Sequence, residues 1–154
     1  DSEKWRNPKP SIHLPNQELP LAVWFPSSPS SYHVGFTEGV SIKPQIAAEK
    51  THYPILGSAG GFSEHQQISR ILEALNPSRL TIFPDGGDVQ NPQVMRKWES
   101  LYQILSEQGW AVNIAWWGQT AQGSDIDEVP HSEFEVISFY QFLKLRSFNR
   151  SQVV

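Results

Sequence analysis

Apolar residues along this chain fall into short runs that alternate with stretches of helical periodicity. His33-Val34-Gly35-Phe36-Thr37 is a β-rich run ending at Glu38-Gly39. Ile42 to Thr51 carries alanines, and Pro44 lies where a helix tolerates proline, in its first turn. Tyr53-Pro54-Ile55-Leu56 is a second short strand, closed by Gly57-Ser58-Ala59-Gly60-Gly61. Ser63 is placed as the N-cap of a helix through Leu75, with Ile68, Ile71, Leu72 and Leu75 on one face and Pro77 as the stop. Leu80-Thr81-Ile82-Phe83 predicts a third strand, followed by Pro84-Asp85-Gly86-Gly87-Asp88. Asn91 then caps a helix with Pro92 at its first position and Val94, Trp98, Leu101, Tyr102 and Leu105 at helical spacing. Gly109 ends it. Ala111 to Trp116 predicts a fourth strand. A loop with Gly118 and Gly123 leads to Asp125-Ile126-Asp127-Glu128, and a last helix is expected from about Ser132 to Leu145, carrying Phe134, Ile137 and Phe142.

This order of strand and helix predicts an α/β fold: a central, mainly parallel four-stranded sheet with helices on both faces and right-handed crossovers. Residues 1–31 read differently. Pro8, Pro10, Pro15, Pro20, Pro26 and Pro29 break any helix there, so this stretch reads as a proline-rich arm or linker. Within it, Leu21 to Phe25 is able to form a short strand. The α/β domain is assigned to 32–146 and a C-terminal tail to 147–154.

Composition narrows the class. At 154 residues the chain is one domain, two at most, and large enough to bury a core without staples. Six Trp and eight Phe supply large burial per residue, which argues against wholesale disorder. No apolar run nears the length of a membrane helix, and no signal peptide is visible. With no Cys there is no disulfide, thiolate metal site or thiol nucleophile. The formal charge of −4 does not favour nucleic acid in bulk, so a local basic patch would be required. The start at Asp1 and the ending Ser-Gln-Val-Val read as a piece of a longer polypeptide, although processing or tag removal leaves the same ends.

In an open parallel sheet, ligands bind beyond the carboxyl ends of the strands. Glu38 follows the first strand, the Gly57 to Gly61 turn the second, Asp85 and Asp88 the third, and Asp125, Asp127 and Glu128 lie beyond the fourth. Acids gathered on one edge repel unless something neutralises them. A hard divalent cation does so, and oxygen ligands suit Mg²⁺ or Mn²⁺ better than Zn²⁺. The plainer reading stands beside it: loops are acidic anyway, and Asp-Gly-Gly-Asp is a good turn.

Thr37-Glu38-Gly39 after a first strand and Asp85-Gly86-Gly87-Asp88 after a later one resemble the TOPRIM domain of primases, topoisomerases and some nucleases and recombination proteins. Lys43, the Ile55-Leu56-Gly57…Gly60-Gly61 turn and Gly123-Ser124-Asp125-Ile126-Asp127-Glu128 are similar to a TOPRIM-like branch in replication proteins of plasmids, phages and mobile elements, cyanobacterial ones included. The resemblance spans about residues 32–130. It implies a Rossmann-like, three-layer fold and Mg²⁺-dependent nucleotidyl transfer, with primer synthesis first. It also implies DNA and nucleotides as partners, helicase or primase modules elsewhere in the parent protein, no membrane and a cytoplasmic setting. Glu38 takes the place of the general acid/base, and Asp85 and Asp88 that of the metal-binding pair, with Glu38 alongside. Asp125 and Asp127 match a later acidic motif. The family places one residue between its aspartates, whereas two glycines stand here. Either both carboxylates still converge or only Asp85 reaches the metal. A metal-dependent nuclease and a non-catalytic DNA- or partner-binding module are the rival readings, since one fold hosts all three.

Lesser candidates remain. Lys43, Gly60 and Gly61 are candidate phosphate contacts, against an ordinary solvated lysine and a plain tight turn. Trp117 is the candidate for stacking on bases, while Trp116 reads as core. Arg70, Arg96, Lys97, Arg146 and Arg150 read as scattered surface charge. His13, His33, His52, His65 and His131 form no close pair at ligand spacing. Ser58 lacks a nucleophile-elbow motif.

Overall fold

The computed structural model describes residues 21–29, 32–130 and 133–152, with side chains through 146. The expected arm before Leu21, with Pro8, Pro10, Pro15, Pro20 and His13, lies outside the described residues. So do His131 and the proposed helix start at Ser132.

The elements are β1 (Ala22–Trp24), β2 (His33–Glu38), α1 (Ile42–Thr51), β3 (Ile55–Ser58), α2 (His65–Leu75), β4 (Arg79–Ile82), α3 (Pro92–Glu107), β5 (Val112–Trp116), β6 (Glu135–Ile137) and α4 (Phe139–Gln152). A short 3-10 turn, Asp88–Gln90, precedes α3. The sheet has six strands in the order β1-β3-β2-β4-β5-β6, not the expected four, and it is mixed. β2 pairs in parallel with β3 and β4, and β4 with β5, while β1 and β6 close the two edges antiparallel. Of the two additions, β1 falls within the Leu21–Phe25 run read as a possible short strand, whereas the three-residue β6 leaves no strong alternating pattern.

β6 corrects the last helix. Phe134 and Ile137 sit at helical spacing, yet Glu135 to Ile137 pair with Trp116 to Ile114. The helix begins only at Phe139. Ser138 Oγ accepts from the Gln141 backbone N–H at 3.1 Å, and Gln141 Oε1 accepts from that of Ser138 at 2.9 Å. That reciprocal pair is a capping box, which fixes the start. The helix then runs on to Gln152, beyond the expected end at Leu145.

Other boundaries follow local chemistry. Asn91 Oδ1 accepts from the N–H groups of Gln93 and Val94, and Pro92 opens α3 as expected. At the far end Gly109 has φ +92°, and the N–H groups of Gly109 and Trp110 return to the carbonyls of Ser106 and Leu105. That is a Schellman ending, which only a residue at ease with positive φ completes cheaply. Ser63 is not the cap of α2: Glu64 takes that place and makes no side-chain cap bond.

Period 2 divides the strands between two cores. Val34, Phe36, Leu56, Leu80, Ile82 and Ile114 face α2, α3 and α4, with Trp98, Leu101 and Phe142 among their neighbours. Ile55, Phe83 and Ala115 face the other way, with Ala47 and Ala48 of α1 and Ile126 of a later loop. Burial on both faces explains why the interior strands lack clean alternation. A Cβ on Gly57 would lie 2.2 Å from the Gly39 carbonyl oxygen. Glycine there lets the loop after Glu38 lie directly on β3.

Candidate functional site

The chain leaves β2 toward β3 on one side and leaves β4 toward β5 on the other. The gap between β2 and β4 is therefore the topological switch point, where connections diverge and leave a crevice at the carboxyl ends. Glu38 ends β2, and the turn Asp85 to Asp88 follows β4, so both flank that crevice.

The turn is built to converge. The Asp85 N–H donates to Asp88 Oδ2 at 2.8 Å, and the Trp98 indole N–H donates to the same oxygen at 2.9 Å. Asp88 is thereby fixed while only 7% exposed. Gly87 takes φ +89°. Gly86 allows a close approach, since a Cβ there would stand 2.3 Å from the Ala121 carbonyl oxygen and 2.5 Å from Ser124 Oγ. Its N–H donates to Asp125 Oδ1 at 2.6 Å. The two glycines are thus what lets the longer spacing close. Glu38, Asp85 and Asp88 each bring a carboxylate oxygen within 4.8 Å of the others, so both aspartates converge with Glu38.

Asp125, Asp127 and Glu128 make a second group of the same span. The first and second groups meet at Lys43. Its ammonium lies 2.7 Å from Asp85 Oδ2 and 3.0 Å from Asp125 Oδ2. It is not a solvated lysine; it is a half-buried cation held between two carboxylates. Two turns along α1, Lys50 donates to the carbonyls of Ile126 and Val129. Lys43 and Lys50 share one face of α1, and Lys50 holds the 125–129 loop against it.

The electrostatics follow. The Glu38 carboxyl is pushed up to about 8, first by burial, then by its contact with the Asp85 carboxyl and the charges of Asp88 and Asp85, with Lys43 pulling the other way. Asp88 is raised to about 6, chiefly by burial and partly offset by its bonds from Trp98 and the Asp85 backbone. Burial alone would lower Lys43, but Asp85 and then Asp125 outweigh it and raise the ammonium well above its ordinary value. Asp85 Oδ1 is buried without a hydrogen-bond partner. A proton on Glu38 or a cation in the crevice would satisfy it. All the donors here are carboxylate oxygens, a set that fits a hard divalent cation.

Two hollows open from the acids. One, about 380 Å³, is walled by Asp85, Asp88, Asp125 and Glu128 with Gly86 and Gly123. The other, about 470 Å³, runs from Glu38 and Gly39 past Ser58 and Gly61 to Lys97. Lys97 lies over Gly61, where a Cβ would meet its Cδ at 2.9 Å, and it makes no ion pair among the described residues.

The remaining candidates are placed as follows. The Gly60 N–H is taken by Ser58 Oγ at 3.1 Å, so it is not directed at a ligand. Gly61, at φ +73°, forms the floor under Lys97. The Trp117 indole donates to the Ser124 carbonyl at 2.8 Å, and its ring lies beside Phe83. With Trp116 and Phe134 it also lines a separate hollow of about 660 Å³. Trp116 contacts Phe142 in the larger core. Asp127 Oδ1 is buried without a partner.

Sequence reasoning missed Trp98 as an Asp88 donor, although its place ten residues on, one face of α3 inward, was a signal. It also missed Gln119. That fully buried amide donates to the carbonyls of Pro84 and Ala115 and accepts from the Trp117 N–H, tying the ends of β4 and β5 together. No helix among the described residues is long and apolar enough to cross a membrane. A scan against family models, a search of curated proteins and a search of solved structures each found no match to this chain.

Proposed function

We propose that this chain is a TOPRIM-like domain of a DNA replication protein, acting in Mg²⁺- or Mn²⁺-dependent nucleotidyl transfer, with primer synthesis as the reaction. The observation that supports this best is the convergence of Glu38, Asp85 and Asp88 at the switch point, with a buried Asp85 oxygen left unpartnered. Glu38, Asp85 and Asp88 would hold the ion. When bound, it would neutralise phosphate oxygens and orient the reacting ones.

The chain's own residues have distinct roles in this reading. Glu38, ending β2 beside the Asp85 and Asp88 carboxylates, is suited to take and return the proton of an incoming hydroxyl. Trp98 and the Asp85 N–H hold Asp88 in one rotamer, so the pair is preorganised. Lys97, at the far wall of the Glu38 hollow, would meet a phosphate bound there.

The test has two stages. Mn²⁺ titration followed by Trp fluorescence should respond through Trp98, and Asp85→Asn should abolish the response. Primer synthesis on single-stranded DNA by the full-length parent protein should then fail in Glu38→Gln. Strand cutting instead would identify a nuclease. An absence of any Mn²⁺ response would leave a binding module, a reading that the Lys43 ion pairs favour because they already neutralise part of the acidic edge.

A further inference from the structure

The two acidic groups lie side by side, and Lys43 stands where they join. Asp85 belongs to the first group and Asp125 to the second. Lys43 bridges one oxygen of each, at 2.7 and 3.0 Å, with all three side chains less than a fifth exposed. Two-metal sites place their ions roughly 3.5–4 Å apart, commonly sharing ligands. Asp85 is divided in just that manner here. Its Oδ2 faces the ammonium, and its buried Oδ1 has no partner.

We propose that Lys43 is a built-in cation standing in for a second divalent ion, so that the centre takes one ion and not two. This rests on the reading of Glu38, Asp85 and Asp88 as a divalent-ion site. An ion beside Asp125 would have to displace the ammonium from both carboxylates, against direct charge repulsion. A purely structural tether is a poor account of Lys43. Lys50, on the same helix face, already anchors the loop through the carbonyls of Ile126 and Val129 and uses no carboxylate to do so.

Counting Mn²⁺ ions per chain by electron paramagnetic resonance, with folding followed by circular dichroism, tests this. The unaltered chain should bind one ion up to millimolar Mn²⁺, and Glu38→Gln should weaken that ion at least tenfold. Lys43→Met should bind two, and adding Asp125→Asn to it should return the count to one. Lys43→Arg, which keeps the charge, should stay at one, as should Lys50→Met. Two ions on the unaltered chain, or one on folded Lys43→Met, would overturn the proposal while leaving the divalent site intact. No ion on any version would overturn both. Should Lys43→Met fail to fold, Lys43→Gln takes its place: two ions on it support the proposal and one ion on the folded variant refutes it.

Discussion

The turns after β3 and β4 are both glycine-rich and both lie at the carboxyl edge of the sheet, yet they are opposite in character. After β3, Ser58 Oγ accepts from the N–H groups of Gly60 and Phe62 and donates to the buried Glu64 carboxylate. The turn satisfies its own polar groups and stabilises itself. After β4, Asp85 Oδ1 is left over, Glu38 and Asp88 are driven toward protonation, and the surplus charge needs a partner. Glycine content does not tell the two apart. What separates them is whether the polar inventory closes within the turn.

The largest expected effect comes from Asp85→Asn. Outer partners of metal ligands are typically worth 10–100-fold in affinity, so loss of a ligand should weaken Mn²⁺ binding by about 100-fold or more, read by titration. The same assay on Ser58→Ala should show no change, and a change there would erase the contrast between the turns. Gly86→Ala should cost about 2–3 kcal/mol in urea unfolding, because its Cβ meets backbone and cannot be relieved by one side chain. Ser58→Ala should cost about 2 kcal/mol in the same measurement, since two N–H groups and Glu64 lose their partner. Gly61→Ala should cost only about 1 kcal/mol, the strain of positive φ, because the Lys97 chain end is able to swing aside.

The pH response should be a smaller but directional effect. Glu38 in the folded chain holds its proton up to about 8, whereas the unfolded chain releases it near its ordinary 4.5. Its contribution to stability is therefore full below that ordinary value and is lost as pH rises toward 8. Asp88, raised to about 6, acts in the same direction. The melting temperature of the metal-free chain should fall between pH 5 and 8. Glu38→Gln should flatten the slope, and Mn²⁺ should restore the loss. A melting temperature that rises over this interval would contradict the burial of Glu38.

Much of this was written in local chemistry. The bounds of α1, the Asn91-Pro92 start of α3 and its Gly109 end follow from signals within a few residues. The acids after the strands could be named as one edge because strand order alone sends them there. Other parts depended on contacts no short window contains. β6 was hidden because Phe134 and Ile137 mimic helical spacing, while pairing with β5 decides the matter. Lys43 looked solvated because its partners are 42 and 82 positions away. The 117–130 loop, which brings in Asp125 and Gln119, has no periodicity from which a path could be read. The Ser138–Gln141 capping box was legible but was masked by the expectation of an earlier helix start.

The three-residue flanks have a bearing on how the domain is handled. β1 covers the outer rim of β3, whose four residues are all buried. A version trimmed to begin at Tyr32 would bare that rim as an open ladder of amides and carbonyls, ready to zip onto another molecule. Such a shortened chain should self-associate in light scattering, which would mark β1 as a guard against polymerisation.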